Sequence, residues 1–341
     1  MKTYTNNPRE LVMKTLEFDS PGRVPRQLWV LPWAEDHYPD ELMDIRKWYP
    51  DDIITAPGYL ADSTRTSGNP YGIGTYVDEW GCTFVNIQRG VIGEVKDPLI
   101  KNWDDLDKLI PPLGWLRIDV GQVNTFCHDS DKFILAGCCP RPFERLQFLR
   151  RSDQLYLDIA DQPPEFFDLL HIVHQFYIDE LEVWASTDID GLSFMDDWGS
   201  QRSLLISPSQ WRVIFKPLYK DYIDIAHAHG KKAFMHSDGY TAAIIPDLIE
   251  LGLDALNTQI FTMDIEGLGR QYRGDLTFWG ELDRQHLLPF GSPSDIENAV
   301  RRVYDAFWAN GGVIAQCEFG AGSKPENVEK MFETWGNILR E

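Results

Sequence analysis

The strongest constraint on how this chain can fold is a pattern that repeats between residues 130 and 320. A short apolar run is followed by a polar cluster and then by an amphipathic helical stretch. The runs are KFILA (132–136), GLSFM (191–195), KAFM (232–235), ALNTQI (255–260), LTFWG (276–280) and GGVIAQ (311–316). Strands that alternate with helices predict βαβ units and a parallel sheet.

Three of the intervening segments carry helix signals at their ends. Residues 207–230 open with Ser-Pro and close on a glycine, and residues 242–252 also end on a glycine. Residues 292–312 have Ser294 at the expected N-cap position and a glycine pair at the end. We therefore predict a helix in each of the three segments.

Polar residues after the apolar runs decide between an open sheet and a closed barrel. No Gly-rich dinucleotide fingerprint follows any predicted strand, which weighs against an open doubly wound sheet. Instead, residues capable of chemistry follow almost every run, at 138–141, 196–197, 236–238, 257–259, 281–283 and 317–318. A barrel gathers the ends of all its strands at one mouth, where its active sites lie. We predict an α/β fold of the (β/α)8 TIM-barrel type, as one domain over residues 1–341.

The first third of the chain is less regular. We predict regular β/α units over about 130–341 and an irregular N-terminal part over about 1–115, with helical and hairpin elements. VPRQLWVL (24–31) reads as an early strand, and the Gly-punctuated alternation of residues 74–98 predicts a hairpin excursion. This hairpin could cover the barrel mouth or form an interface, and the sequence leaves both open.

The charge of the chain excludes several classes of partner. The formal net charge is −21, and no basic cluster offsets it, so we expect no nucleic-acid partner and no membrane partner. No segment has the pattern of a signal peptide or a membrane span, and the five cysteines are scattered and odd in number. We therefore expect a cytoplasmic protein with reduced thiols.

Three residues at strand ends have the chemistry of a metal site. Side chains at i and i+2 of a strand point to the same side, so His236 and Asp238 can converge on one point. Cys317, from a later strand, can approach that point across the mouth. Three such ligands with an open fourth position define a catalytic zinc site, and Glu281 is a candidate fourth ligand. Alternatively, Asp238 caps a helix, His236 is a hydrogen-bonded barrel residue and Cys317 is a small core residue.

Several segments resemble the uroporphyrinogen decarboxylase superfamily. They are HSDG (236–239), LIELGLDALNTQ (248–259), TFWGELDRQ (277–285), KPENVEKMFETW (324–335), the start NPRELVMKTLEFDSPGRVP (7–25) and MDDWGSQRSLLISPSQW (195–211). One branch of that superfamily decarboxylates the acetate arms of a porphyrinogen. The other comprises zinc methyltransferases that exchange methyl groups with a corrinoid protein.

The motifs favour the methyltransferase branch. The decarboxylases carry an arginine-rich signature of the type RPxWxMRQAGR, whereas residues 23–39 read RVPRQLWVLPWAEDHYP, with two arginines and no MRQAGR. The methyltransferases bind zinc through His-x-Cys and a later Cys near the last strand. Carried over, these ligands fall on His236, Asp238 and Cys317. Asp238 departs from the pattern of the thiol-methylating members, so the resemblance leaves their reaction in doubt here.

Replacing a thiolate by a carboxylate changes what the zinc can do. Sulfur donates more electron density, so a zinc ion with Asp238 in its ligand set is the better Lewis acid for an ether oxygen. The resemblance then implies the first step of anaerobic O-demethylation, in which a methyl group moves from a phenyl methyl ether to a Co(I) corrinoid. The chain shows no DxHxxG string or cobalamin-binding segment, so we expect the corrinoid to arrive on a partner protein.

Further residues at or near strand ends could bind this methoxyaromatic substrate or take part in the reaction. The predicted substrate-binding residues lie at or near strand ends and are Trp29, Asp196, Trp198, Gln259 and Trp279. Tryptophans could wall a pocket for a planar ring, although packing between barrel and helices explains each of them equally well. The predicted catalytic residues are Asp197 and Glu281, whose carboxyl groups could hydrogen-bond a phenolic hydroxyl or pass a proton.

Other functions and the assembly state stay open at this point. The alternatives are a metal-free porphyrinogen decarboxylase, a methylcobalamin:thiol methyltransferase and a non-catalytic barrel that binds an aromatic ligand. The identity of the methyl donor, the fourth zinc ligand and the role of the Cys138-Cys139 pair also stay open. So does the question of whether the chain forms a homodimer.

Overall fold

The strands of the predicted β/α pattern form the wall of a barrel. The computed structural model describes residues 7–62 and 65–339. Its strands are β1 Arg26–Val30, β2 Ile53–Thr55, β3 Gly74–Val77, β4 Thr83–Asn86, β5 Glu94–Asp97, β6 Phe133–Leu135, β7 Gly191–Met195, β8 Lys232–Ser237, β9 Ala255–Thr258, β10 Thr277–Trp279 and β11 Val313–Phe319. Eight of them run parallel in the order β1-β11-β10-β9-β8-β7-β6-β2. The predicted (β/α)8 fold class is confirmed.

Helices surround this barrel and connect its strands. They are α1 Pro8–Leu16, α2 Pro32–His37, α3 Pro39–Trp48, α4 Val120–His128, α5 Pro142–Arg150, α6 Ser152–Asp161, α7 Pro164–Ala185, α8 Pro208–Ile214, α9 Lys216–Ala228, α10 Ile245–Glu250, α11 Ile265–Tyr272, α12 Leu287–Phe290, α13 Pro293–Phe307 and α14 Pro325–Asn337. In the described part of the chain, no helix has a stretch both long and apolar enough to cross a membrane.

Two helix predictions need correction. The segment 207–230 forms two helices, because Pro217 has no N–H to continue a single helix and α8 ends three positions before it. The N-cap of α13 is Ser292 and not Ser294. Ser292 accepts a hydrogen bond from the Asp295 N–H and forms a capping box with that residue, while Pro293 occupies the first helical position.

Side chains, and not a continuous ladder, close the barrel between β1 and β2. The Asp52 N–H donates to the Arg26 carbonyl at 2.8 Å, and the Asp52 carboxylate accepts the Arg26 N–H at 2.8 Å. Arg23 forms a two-pronged ion pair with the same carboxylate at 2.6 Å. One residue earlier, Asp51 Oδ1 accepts the Leu28 N–H at 2.7 Å. We call this join the seam.

The predicted hairpin of residues 74–98 is a separate three-stranded antiparallel sheet, β3-β4-β5. Its strand β4 buries Phe84 against Phe148 of α5, with the ring centroids 5.0 Å apart. The sheet therefore packs beside the barrel, next to the segment that follows β6.

Alternation along the strands separates an inner from an outer core. Side chains that point into the barrel, such as Phe234 of β8 and Ile314 of β11, pack with Trp279. Their neighbours along the chain, such as Met235 and Ala315, pack in the layer between barrel and helices. Which side a residue of β11 faces therefore follows from whether it is an even or odd number of positions from Ile314.

Candidate active site

His236, Asp238 and Asp197 meet at the carboxyl end of the barrel. His236 lies near the end of β8, Asp238 follows that strand and Asp197 follows β7. His236 Nε2 is 3.5 Å from Asp197 Oδ1 and 3.6 Å from Asp238 Oδ1. Within residues 7–62 and 65–339, this is the group of histidine, cysteine and carboxylate side chains whose ligand atoms all lie within 4.8 Å of one another.

Asn257 of β9 fixes the orientation of the His236 ring. Both N–H groups of the Asn257 amide are used, one on the Trp279 carbonyl and one on Gln316 Oε1 at 3.0 Å. The amide oxygen therefore faces His236 Nδ1, at 2.6 Å, and accepts a hydrogen bond from its N–H. In the neutral ring this leaves the lone pair on Nε2, which faces the two aspartates. Such a partner for the other ring nitrogen is typical of histidines that bind metals.

Two glycines allow the loops after β7 and β8 to cross in contact. A Cβ on Gly239 would lie 2.1 Å from the Gly199 carbonyl oxygen, and a Cβ on Gly199 would lie 2.2 Å from the Tyr240 nitrogen. Gly239 also has φ +78°, where L side chains are strained. This close crossing places Asp197 beside Asp238, and the Asp238 N–H donates to Asp197 Oδ1 at 3.0 Å.

The two oxygens of Asp238 have different environments. Oδ2 forms an ion pair with Arg284, whereas Oδ1 is buried and has no hydrogen-bond partner in the described part of the chain. A buried carboxylate oxygen without a partner is costly, and a bound cation would satisfy it. With His236 Nε2 and Asp197 Oδ1, the residues present thus fit a divalent ion held by one nitrogen and two oxygens.

The pKa values reflect the same concentration of charge. Burial would lower the pKa of His236, but the carboxylates of Asp197 and Asp238 outweigh it and raise the pKa to about 9. Burial would raise the pKa of Asp197, but the His236 imidazolium outweighs it and lowers that pKa. The site therefore attracts a positive charge at Nε2, which a proton or a metal ion can supply.

Arg284 joins three carboxyl groups at the mouth. Besides Asp238, its guanidinium contacts Glu281 Oε1 at 3.2 Å and Glu318 Oε1 at 2.9 Å. Glu281 is 3% exposed, and burial raises its pKa to about 8, partly offset by Arg284. At neutral pH the Glu281 carboxyl is therefore mostly protonated.

The structure does not bring Cys317 into the group formed by His236. Cys317 is fully buried and packs in the layer between barrel and helices, three positions from the inward-facing Ile314. Its neighbours Gln316 and Glu318 are the residues of β11 that contact Asn257 and Arg284. Burial raises the pKa of the Cys317 thiol well above its usual value.

Two of the three predicted tryptophans reach the site. Trp29 meets the His236 ring edge-on, with the centroids 5.2 Å apart, and it meets Trp279 at 5.1 Å. Both indole N–H groups donate to Gln27 Oε1, at 3.1 and 3.0 Å. Trp29 is partly exposed and Trp279 is buried, so the pair forms the floor beneath the imidazole.

Trp198 and Asp196 are buried away from the mouth and support the fold. Trp198 is fully buried, stacks on Phe143 at 4.2 Å and donates to the Tyr219 hydroxyl at 2.7 Å. Asp196, also fully buried, accepts the N–H groups of Phe143 and Glu144 at the start of α5 and the Tyr219 hydroxyl. The structure brings neither side chain to the mouth, because Asp196 anchors a helix and Trp198 packs behind it.

Gln259 lies beside the site in a supporting position. Its Oε1 accepts the Gly239 N–H at 3.1 Å, and its side chain lines a small cavity of about 90 Å³ with Glu281 and Arg284. Gln259 thus holds the loop that carries Asp238.

Asn257, Arg284 and Glu318 contact the site, but the sequence predicts no role for them. Asn257 and Glu318 lie in polar clusters that follow apolar runs, so strand-end position was an available signal for both. Glu318 could also have been found from the i, i+2 relation with Gln316 in a strand that is otherwise apolar. Nothing in the local sequence distinguishes Arg284 from other loop arginines.

The comparisons with known proteins reveal similar folds. No family model matches the sequence, and no curated protein matches it in a sequence search. A methyltransferase from Methanosarcina mazei superposes with a TM-score of 0.66 at 14% identity, over 97% of this chain and 99% of that one. A B12-independent methionine synthase from Shewanella sp. W3-18-1 superposes with a TM-score of 0.44 at 10% identity, over 66% of this chain and 68% of that one. At such identities the first likeness establishes a shared barrel fold.

Proposed function

We propose that the protein is a zinc-dependent methyltransferase that moves a methyl group from a methoxyaromatic compound to the Co(I) corrinoid of a partner protein. The observation that carries the proposal is the group of His236 Nε2, Asp197 Oδ1 and the unpartnered Asp238 Oδ1. The resemblance of HSDG and the other segments to corrinoid-linked methyltransferases supports it. The barrel shared with a methyltransferase of nearly equal length is consistent with it.

The donor set suits chemistry at oxygen. His236, Asp197 and Asp238 would hold the ion through nitrogen and oxygen, and Cys317 would contribute nothing to the first three ligands. When bound, the zinc ion supplies a Lewis acid that draws electrons from an ether oxygen. A thiol acceptor, by contrast, is served best by sulfur-rich zinc sites, so this set favours the ether over the thiol reaction.

The residues of the chain supply position and protons. Trp29 offers a partly exposed aromatic edge next to His236 for a planar ring. Glu281, mostly protonated at neutral pH, holds a proton that can pass to the phenolate oxygen when the C–O bond breaks. Arg284 keeps Asp238 in place and balances the charge of Glu318.

The test combines metal analysis with a methyl-transfer assay. The purified protein, reduced corrinoid protein and a methoxyaromatic compound should together give the absorbance of methyl-cobalt. His236→Ala and Asp238→Ala should each remove stoichiometric zinc and abolish the signal. Zinc-free protein with full activity, or the absence of methyl-cobalt with every methyl donor, would refute the proposal. A metal-free decarboxylase would instead convert a porphyrinogen substrate without zinc and would give no methyl-cobalt.

A further inference from the structure

A second cavity, of about 320 Å³, lies between the three-stranded sheet and the barrel. It is bounded by β3, β4, the segment after β6, and helices α5 and α7. Its aromatic lining residues are Tyr71, Tyr76, Phe84, Trp115, Phe148, Phe176 and Tyr177. The volume is at the lower end of the range of small-molecule pockets, which are mostly apolar with a few polar groups.

Glu180 of α7 lines this cavity with a buried carboxyl that lacks a partner. The residue is 4% exposed, and no group in the described ranges hydrogen-bonds its side chain. Burial raises its pKa to about 8, with a further rise from Glu79 that Arg145 and Arg141 partly offset. Buried polar groups are normally paired, so a buried carboxyl that lines this cavity is placed to hydrogen-bond a ligand.

Two arginines line the same cavity, and nearby carboxylates neutralise their positive charges to different degrees. Arg145 is ion-paired with Asp78 and with Glu79 at 2.6 Å, and its Nε is buried without an acceptor. The ion pair of Arg141 among the described residues is with Glu144, at 3.6 Å, a distance too long for a hydrogen bond. The positive charge of Arg141 is therefore incompletely neutralised.

We propose that this cavity binds the ring of an aromatic acid that bears oxygen substituents. Arg141 pairs with the carboxylate, Glu180 hydrogen-bonds a second oxygen and the aromatic side chains stack on the ring. The inference rests on the proposed function, because the ring is taken to be that of the methyl donor. It narrows that donor from methoxyaromatics in general to methoxybenzoates.

The start of α5 connects the cavity to the metal-binding group. Arg141 directly precedes this helix, and its ion-pair partner Glu144 lies in the first turn of the helix. The N–H of Glu144 is fixed by Asp196, the residue before Asp197. The start of α5 thus borders both the cavity and the metal-binding group. A ring held in the cavity could direct its methoxy group past Glu144 towards the metal-binding group.

Calorimetric titration of the whole chain without corrinoid protein tests the assignment. Vanillate is the charged probe, and guaiacol is the same methoxyphenol without the carboxylate. Arg141→Gln is expected to weaken vanillate binding about tenfold or more and to change guaiacol binding by less than about twofold. Glu180→Leu should weaken both ligands, whereas Glu180→Gln, which retains a hydrogen-bond donor, should weaken neither strongly.

Arg117→Gln is the matched control, since it removes an exposed arginine paired with Asp62 outside the cavity. Equal affinity of the wild type for vanillate and guaiacol, or equal losses of both in Arg141→Gln, would overturn the assignment. Arg141-dependent binding of vanillate without methyl transfer would reject the proposed function alone. Methyl transfer from vanillate with an unchanged KM in Arg141→Gln would reject the cavity assignment alone.

Discussion

At the scale of single residues, Asn257 shows how a neutral side chain controls a metal ligand. Its amide is held by the Trp279 carbonyl and by Gln316, so its oxygen must accept from His236 Nδ1. The neutral ring then presents the lone pair of Nε2 to Asp197 and Asp238. The site depends as much on this hydrogen bond as on the ligands themselves.

Replacing Asn257 should therefore weaken metal binding without touching a ligand. We expect Asn257→Leu to lower zinc affinity by roughly tenfold to a hundredfold, because His236 Nδ1 loses its acceptor. Asn257→Asp, which keeps an acceptor oxygen, should retain most of the affinity. Competition with a chromophoric chelator measures both constants, and equal losses in the two variants would contradict this role.

A pair of substitutions distinguishes two possible sets of zinc ligands. His236 and Asp238 belong to both sets, and the third ligand is either Asp197 or Cys317. Asp197→Asn should lower zinc affinity about tenfold or more, because a neutral amide is a weaker ligand. Cys317→Ser should leave zinc content unchanged and reduce the free energy of unfolding by about 1 kcal/mol, since a hydroxyl replaces a thiol in an apolar layer. Loss of zinc in Cys317→Ser, measured by elemental analysis, would restore the sequence-based ligand set.

At the scale of elements, the site depends on two loops that touch through glycine backbones. Gly239 and Gly199 approach so closely that neither can carry a side chain, and the contact brings Asp197 to Asp238. Gly239, with a φ of +78°, lets the chain turn after β8. Gly239 meets the loop after β7 because β7 and β8 are neighbouring strands of the barrel.

This contact predicts a large effect of one methyl group. Gly239→Ala should reduce the free energy of unfolding by at least about 2 kcal/mol and also lower zinc affinity, because Asp238 must move. Gly230→Ala is the matched control: its φ is +69°, but nothing lies within 4 Å of the added Cβ. It should cost only about 1 kcal/mol and leave zinc binding intact. Urea denaturation and zinc titration of both variants provide the comparison.

The placement of Cys317 shows what a strand sequence leaves undetermined. Residues of β11 are buried on both faces, so apolar character does not reveal which of two neighbours points inward. The three-dimensional register shows that Glu318 faces the mouth and Cys317 the helices. The same limit applies to Trp198, whose position near a strand end fits both a pocket wall and helix packing.

At the scale of the whole molecule, the barrel was predictable because its signal is repeated. Each run from residue 132 onwards predicts a strand, and the structure has one at each of the six positions. The sequence does not predict the strand Ile53–Thr55, because three residues are too few to show alternation. Its place in the barrel depends on Asp51 and Asp52, whose contacts with β1 are distant in sequence.

Stability should depend on pH through the buried carboxyl of Glu180. Its pKa is raised to about 8 by burial and by Glu79, against the attraction of Arg145 and Arg141, while Tyr177 packs nearby. The folded chain thus binds a proton that the unfolded chain releases above about pH 4.5. The stabilisation is complete below that pH and is lost as the pH rises towards 8.

Glu180→Gln should remove this part of the pH dependence. The free energy of unfolding of the wild type should fall by up to about 1.4 kcal/mol per pH unit from this group between about pH 5 and pH 8. In the variant the fall should be shallower over the same range, because an amide does not titrate. Chemical denaturation at several pH values measures both curves, and identical slopes would contradict a protonated Glu180.

The seam between β1 and β2 gives the barrel one side that differs from the rest. There the strands are joined mainly by the carboxylates of Asp51 and Asp52, and the Arg23 guanidinium holds Asp52 in place. Trp29, on the seam strand β1, touches the imidazole of His236. The imidazole is therefore linked through Trp29 to the one join of the barrel that depends on side chains, and a substitution at Asp51 or Asp52 should reach it.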